Sequence, residues 1–317
     1  MRQLQEIDYG ALLQGKPSGS MVRAWSEPTE YTPAVDAGYI LPLWSIDVFR
    51  WYQISQSARE NLWIAGPTGA GKTALVRWFA GKLNVELFEV TGNVRLEFPD
   101  LVGQWVLHGS DGMQWSDGPL TAAMRRGGWL LINEADIIDP GTLAGLNTVL
   151  DGGSLCIPEH NAEIVKAADG FACIVTANSA GAGDESGLYA SVQRQNIALM
   201  DRFAVVMADY LPANIEEMVL ATHAPALPED TRKLMVRIAN DIRALFKGDP
   251  VEGISGQLDV TMSVRTVLRW AKLTLAYAKS NRGKSPLALA LDIALCNRAS
   301  VASAQTIREI LERYTSN

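Results

Sequence analysis

Short apolar runs bounded by turn residues recur through the first two thirds of the chain: Asn61 to Ala65, Glu86 to Val90, Trp129 to Ile132, Phe171 to Thr176 and Phe203 to Ala208. Each has the length of one strand and lacks polar alternation, so each predicts a strand buried on both faces. Helical patterns fill most of the intervals, which predicts an α/β fold built on a five-stranded parallel sheet covered on both sides. Ligands of such sheets gather at the carboxyl ends of the strands. Two stretches interrupt the alternation, Gln104 to Gly118 and Ser154 to Gly170, and both read as hairpin-like insertions. From about Ala213 onward the pattern is helical, with segments Pro228 to Gly248, Val264 to Ala278, Leu287 to Cys296 and Ala304 to Tyr314. Residues 1 to about 40 show little periodicity and read as an extension or lead-in. The expected organisation is an extension over 1–40, an α/β domain over 41–212 and a small all-α domain over 213–317.

The run Gly66-Pro67-Thr68-Gly69-Ala70-Gly71-Lys72-Thr73 lies between the first strand and a helical segment from Ala74 to Leu83. A strand that feeds a glycine-rich turn into a helix start aims several backbone N–H groups, and the positive end of the helix dipole, at one point. A triphosphate fits there. Lys72 is expected to reach the β- and γ-phosphates, and the Thr73 hydroxyl to hold a magnesium ion that bridges the same oxygens. The cofactors expected are therefore ATP and Mg2+.

The third strand runs into Asn133-Glu134-Ala135-Asp136, where a phosphate-loop enzyme places its acidic pair. A first carboxylate there orients magnesium and the following glutamate polarises the attacking water. Here the first position is Asn133, which accepts hydrogen bonds but adds no negative charge, so weaker metal retention is expected. Glu134 keeps the base role, and Asp136 is expected to face solvent or cap the next helix, with partial compensation for the charge that position 133 lacks as the alternative. Asn178, at the end of the fourth strand, puts an amide beside the strand carrying Glu134, suited to orienting that water. Arg202 before the fifth strand and Arg265 in the helical region each offer a guanidinium at a domain edge. An arginine of this kind stabilises charge on a transferring phosphoryl group, and one from a neighbouring subunit ties hydrolysis to assembly.

With 317 residues, 48% hydrophobic and 20% charged, the chain can bury a sizeable core. A net charge of −7 argues against a general electrostatic grip on nucleic acid or an anionic membrane. Cys156, Cys173 and Cys296 are too few and too scattered for a disulfide frame and read as buried thiols in a reducing compartment. His108, His160 and His223 have no ligand spacing. The N-terminus lacks a signal-type apolar run and no segment approaches a membrane span, so a cytoplasmic location is expected.

Taken together these residues resemble the AAA+ ATPases, in the branch holding MoxR proteins, magnesium chelatase and the small ATPase subunit of cobaltochelatase. The likeness spans about residues 40 to 317. It is most specific over Thr176-Ala177-Asn178, Gly183-Asp184-Glu185-Ser186-Gly187-Leu188-Tyr189, Gln193, Asn196 and Met200-Asp201-Arg202. The resemblance implies Asn178 as sensor 1, Arg202 as arginine finger with Arg194 as a second candidate, and Arg265 as the lid arginine that touches the γ-phosphate. It also implies hexameric rings with ATP between subunits, working beside a protein with a von Willebrand type A domain. The two insertions would be pore-facing hairpins, whose Trp105 and Trp115 either touch a substrate or pack on each other or on the core. The expected function is thus a ring ATPase that remodels or activates a protein partner. A nucleotide-gated scaffold with little turnover and a nucleic-acid-dependent ring motor are the alternatives.

Overall fold

The computed structural model describes residues 2–107, 109, 112–183, 192–254, 256–278 and 285–316. The chain divides into two units, Met1–Ala37 with Leu43–Pro67 and Lys72–Asp209, and Gly38–Pro42 with Thr68–Gly71 and Tyr210–Asn317.

The first unit opens with β1 (Leu4–Asp8), α1 (Tyr9–Gln14) and β2 (Met21–Trp25). Next come α2 (Ser45–Ala58), β3 (Asn61–Ala65), α3 (Lys72–Lys82), β4 (Leu87–Thr91) and α4 (Phe98–Val102). The strands β5 (Gly103–Leu107) and β6 (Met113–Asp117) precede α5 (Pro119–Arg126) and β7 (Trp129–Asn133). Then follow α6 (Pro140–Ala144), α7 (Asn147–Leu150), β8 (Leu155–Ile157), β9 (Glu163–Val165), β10 (Ala172–Ala177), α8 (Ile197–Met200) and β11 (Phe203–Met207). Five strands make the central sheet in the order β11-β3-β10-β7-β4, every pair parallel.

All residues of β3, β7 and β10 are buried, which is why they lack polar alternation. Trp129 anchors one face, with ring centroids 6.4 Å from Trp51, 5.5 Å from Tyr52 and 5.6 Å from Phe79.

Two expectations change here. The lead-in carries its own structure: β1 and β2 form an antiparallel pair, and the segment is tied to the sheet through Glu86. That carboxylate, 1% exposed, accepts from Arg126 at 2.6 and 2.7 Å, from the Thr29 hydroxyl at 2.8 Å, and pairs with Arg2 at 3.2 Å. Buried ionic groups persist when several partners hold them, and the partners of Glu86 lie far apart in sequence. Cys156 is exposed on β8, whereas Cys173 and Cys296 are buried.

The insertions form the antiparallel pairs β5–β6 and β8–β9. Trp105 and Trp115 are cross-strand partners with ring centroids 5.8 Å apart. His160, between β8 and β9, stacks on Trp115 at 4.8 Å, and Trp105 Nε1 donates to the Glu159 carbonyl at 3.0 Å. The two tryptophans therefore pack on each other and fasten one hairpin to the other.

The helices of the second unit are α9 (Ala213–His223), α10 (Glu229–Lys247), α11 (Val264–Tyr277), α12 (Pro286–Ala294) and α13 (Val301–Thr315). They close on a core that includes Met235, Ile238, Trp270, Leu291 and Ile310. Arg243 and Glu216, both buried, form a two-point ion pair at 2.7 and 2.6 Å, a fork geometry that joins α10 to α9. No helix among the described residues is long and apolar enough to cross a membrane.

Replacing Trp129 by Ala should cost the first unit about 3–5 kcal/mol by cavity formation. Denaturant unfolding followed by intrinsic fluorescence and circular dichroism checks this, and a loss below about 1 kcal/mol would mean the aromatic cluster does not anchor the sheet.

Candidate nucleotide site

Because the central strands run in parallel, the chain leaves β3, β7 and β10 at one edge of the sheet. Leaving β3, Gly66 has φ of +152° and lies so close to the next segment that a Cβ would meet the Ala208 carbonyl oxygen at 2.1 Å. Only glycine fits such a turn. Gly69, at φ of +74°, belongs to the second unit, where a Cβ would meet that of Ser263 at 2.2 Å and the Tyr210 hydroxyl donates to the Thr68 carbonyl at 3.1 Å. Pro67, Ala70 and Gly71 complete the loop, and α3 begins at Lys72.

Lys72 Nζ donates to the carbonyls of Gly66 at 2.6 Å and Pro67 at 3.0 Å, and to Asn178 Oδ1 at 3.3 Å. Burial lowers its pKa to about 8, with the carboxylates of Asp136 and Glu134 partly opposing the shift. The ammonium thus occupies the mouth of its own loop and contacts the end of β10.

The Thr73 hydroxyl donates to Asn133 Oδ1 at 2.6 Å, and Thr176 donates to the same oxygen at 3.1 Å. Asn133 is only 8% exposed, so its carboxamide is held in one orientation. Thr73 and Asn133 together present neutral oxygen donors of the kind a hard cation such as magnesium accepts, directly or through its waters.

Glu134 follows β7 in the left-handed region at φ of +54°, and its exposed side chain makes no hydrogen bond among the described residues. A non-glycine residue in that conformation is strained, and such strain clusters at functional sites. Asp136 corrects the expectation of a solvent-facing or capping carboxylate. It is wholly buried, and its Oδ2 accepts the backbone N–H of Asn178 at 2.7 Å and of Ser179 at 3.2 Å. Its Oδ1 has no hydrogen-bond partner among the described residues. The carboxylate fixes the end of β10 and places Asn178 against Lys72.

Arg202 lies at the opposite edge, just before β11. The Asn61 side-chain amide donates to the carbonyls of Leu150 and Arg202 at 3.2 and 3.0 Å, which fixes Arg202 level with the start of β3. Its guanidinium is paired with Asp151, Nε to Oδ1 and Nη2 to Oδ2 both at 2.8 Å. Arg194 is exposed between Gln193, whose N–H reaches the Asp136 carbonyl at 2.7 Å, and Gln195, whose N–H reaches Gly181 at 2.9 Å. Residues 184–191, part of the run that carried the resemblance, lie outside the described residues. Arg265 is an exposed residue in the first turn of α11.

The structure thus brings Lys72, Thr73, Asn133, Glu134 and Asn178 to one edge of the first unit and puts Arg202 at the other. Two contacts had no signal along the chain: Thr176 with Asn133, and Glu89 with Asn133, Glu89 being visible only as a charge inside an apolar run; Asp136 was singled out, but its inward anchoring of Asn178 was not.

Two family profiles match this chain: the AAA domain of the dynein-related subfamily over residues 61–203 and the CbbQ/NirQ/NorQ C-terminal domain over 216–314. The aerobic cobaltochelatase subunit CobS of a Sinorhizobium species is 29% identical over 259 residues, covering 79% of this chain and 75% of that protein. A Staphylococcus epidermidis protein of no stated function is 30% identical over 192 residues, 59% of this chain and 70% of that one. Among solved structures, a mutant RuvB of Thermotoga maritima superposes with a TM-score of 0.50 at 13% identity, covering 84% of this chain and 73% of that one, a likeness of fold alone. On these matches and the geometry of the phosphate loop, the chain belongs to the AAA+ ATPases, in the branch of MoxR proteins and the cobaltochelatase ATPase subunit, and is an ATP hydrolase of that type.

Proposed function

We propose that this protein works as a ring, most simply a hexamer, in which ATP and Mg2+ sit between subunits and hydrolysis remodels or activates a protein partner. One observation carries the reading: the finger candidate and the phosphate loop lie at opposite edges of the same sheet. Phe203 pairs with Asn61 and Met207 with Ala65, so Arg202 and Gly66 are separated by at least the length of β3, roughly 13 Å at about 3.3 Å per residue. The Arg202 guanidinium is also held at its own edge by Asp151. A second copy that sets its Arg202 edge against this chain's loop edge completes a site that neither copy has alone.

Within that site the loop amides and Lys72 hold the phosphates, and Thr73 with Asn133 forms the magnesium side. The metal would neutralise charge on the β- and γ-phosphate oxygens. Glu134 is the base for the attacking water, Asn178 orients that water, and Arg265 meets the γ-phosphate. Arg202, with Arg194 as the second candidate, comes from the neighbour. The likeness to a cobaltochelatase subunit supports a protein partner, and within this branch we assign one with a von Willebrand type A domain. The net charge of −7 disfavours a nucleic-acid substrate.

A second reading, a nucleotide-gated scaffold, is favoured by Asn133, because a neutral residue there slows turnover more than binding. A hydrolysis rate per chain that stays negligible at every protein concentration, with ATP bound, would select it. A rate rising steeply with concentration selects the shared site.

Two outcomes are expected. Lys72, with its pKa near 8, gains basicity when a polyphosphate pairs with it, so binding takes up protons at pH values just above 8 and affinity falls as pH climbs further. Calorimetric titrations in buffers of different ionisation heat measure the uptake; none in that range removes Lys72 from the phosphate contacts. Separately, Glu134→Gln should lower turnover by about 10²–10⁴-fold while sparing ATP binding, and Arg202→Ala by about 10³-fold or more. Mixing the two variants should restore some turnover at interfaces joining an intact Glu134 to an intact Arg202. No recovery, with subunit exchange verified, refutes the shared site.

A further inference from the structure

The last residue of β7, Asn133, is neutral, but a carboxylate lies a strand away. β4 and β7 are parallel neighbours, with Glu89 beside Leu131 and Thr91 beside Asn133. Side chains two apart share a face of a sheet, so Glu89 and Asn133 are diagonal neighbours on one face. Glu89 Oε2 lies 3.4 Å from Asn133 Nδ2. The opposite end of that carboxamide is already taken, since Oδ1 accepts the hydroxyls of Thr73 and Thr176. The amide therefore presents its donor to Glu89 and its acceptor to Thr73.

Arg77 fixes the carboxylate in this pose, Nε to Oε1 at 2.7 Å and Nη2 to Oε2 at 2.6 Å. The Arg77 side chain is 55% exposed and that of Glu89 25%. Arg77 is thus the more solvent-screened partner of the pair, and Glu89 the one that reaches Asn133. An aspartate at position 133 would instead face Glu89 as a second carboxylate at nearly hydrogen-bond distance, which disfavours both charges when no cation is bound.

We propose that Glu89, acting through the carboxamide of Asn133, supplies the negative charge that position 133 itself lacks, and so retains magnesium beside Thr73. Glu89 is a positioning residue here: its charge polarises the amide so that Oδ1 becomes a stronger acceptor for Thr73 or a metal-bound water. Outer partners of this kind commonly alter metal affinity by about 10–100-fold. The proposal rests on reading Thr73 and Asn133 as the magnesium side of the nucleotide site.

Binding of a fluorescent ATP analogue to the full chain, in EDTA and across a magnesium titration, tests it without reference to turnover. Glu89→Gln should bind the analogue like the native protein in EDTA but need roughly tenfold more magnesium for half-maximal enhancement. Asn133→Asp should need less than the native protein, and the double variant Glu89→Gln/Asn133→Asp should recover most of the loss, since one carboxylate has been returned to the face. An unchanged magnesium midpoint in Glu89→Gln overturns the proposal. So does a double variant as impaired as Glu89→Gln alone, or loss of binding in EDTA, which would assign Glu89 to the shape of the loop. Failure of the native protein to bind the analogue under any condition would instead sink the nucleotide-site reading itself.

Discussion

A parallel sheet buried on both faces admits polar chemistry only at its ends, and parallel strands share the same end. β3, β7 and β10 are buried throughout and, apart from Asn61, Asn133 and Thr176 at or next to their ends, apolar, so the candidate site residues attached to them gather where the chain leaves the sheet. Lys72 and Thr73 follow β3, Asn133 and Glu134 close β7, and Asn178 follows β10. Arg202 and Asn61 are gathered by the same rule at the opposite edge. The division into a phosphate edge and an arginine edge follows from strand direction, and the reading of a site shared between copies follows from that division.

Holding ionic groups at such an edge is costly unless each has partners. Asp136 meets the cost by accepting two backbone N–H groups from the start of the segment after β10, and it lowers the penalty on the Lys72 ammonium. Removing it would leave both N–H groups and the lysine less satisfied, so it acts as the joint between β7 and β10. Asn133 plays the corresponding part between β7 and α3, because its carboxamide carries a donor and an acceptor at once. An aspartate could accept from Thr73 and Thr176 equally well, but it could not also donate to Glu89. The neutral residue is thereby matched to its neighbour.

The hairpins follow the same logic on a surface. Trp105, Trp115 and His160 join the two insertions by ring contacts, and Glu163 receives both Nη atoms of Arg125 at 2.7 Å and His160 Nδ1 at 2.7 Å. Arg125 first, and His160 after it, hold the Glu163 carboxyl down at about 2. Arg125 also pairs with Asp117 at 2.9 Å, which extends the network from β9 through α5 to β6. Paired in this way, the two hairpins are joined to each other and to α5.

Much of this was legible along the chain, because apolar runs, glycine spacing and strand-end residues are local signals. The five runs became the five strands of the sheet, and the loop from Gly66 to Thr73 stands where a strand meets a helix. What stayed hidden depended on residues distant in sequence. Glu86 ended outside its strand and tied the N-terminal hairpin to α5, Asp136 turned inward to meet Asn178 from 42 positions away, and Glu89 reached Asn133 across 44. By itself the sequence determined which segments lie in the sheet and where the glycine-rich loop stands between a strand and a helix, since burial periodicity and glycine spacing are written in neighbouring residues. Only the tertiary structure decided which charges meet, because strand order, unlike strand identity, is set by packing between segments that the sequence keeps far apart.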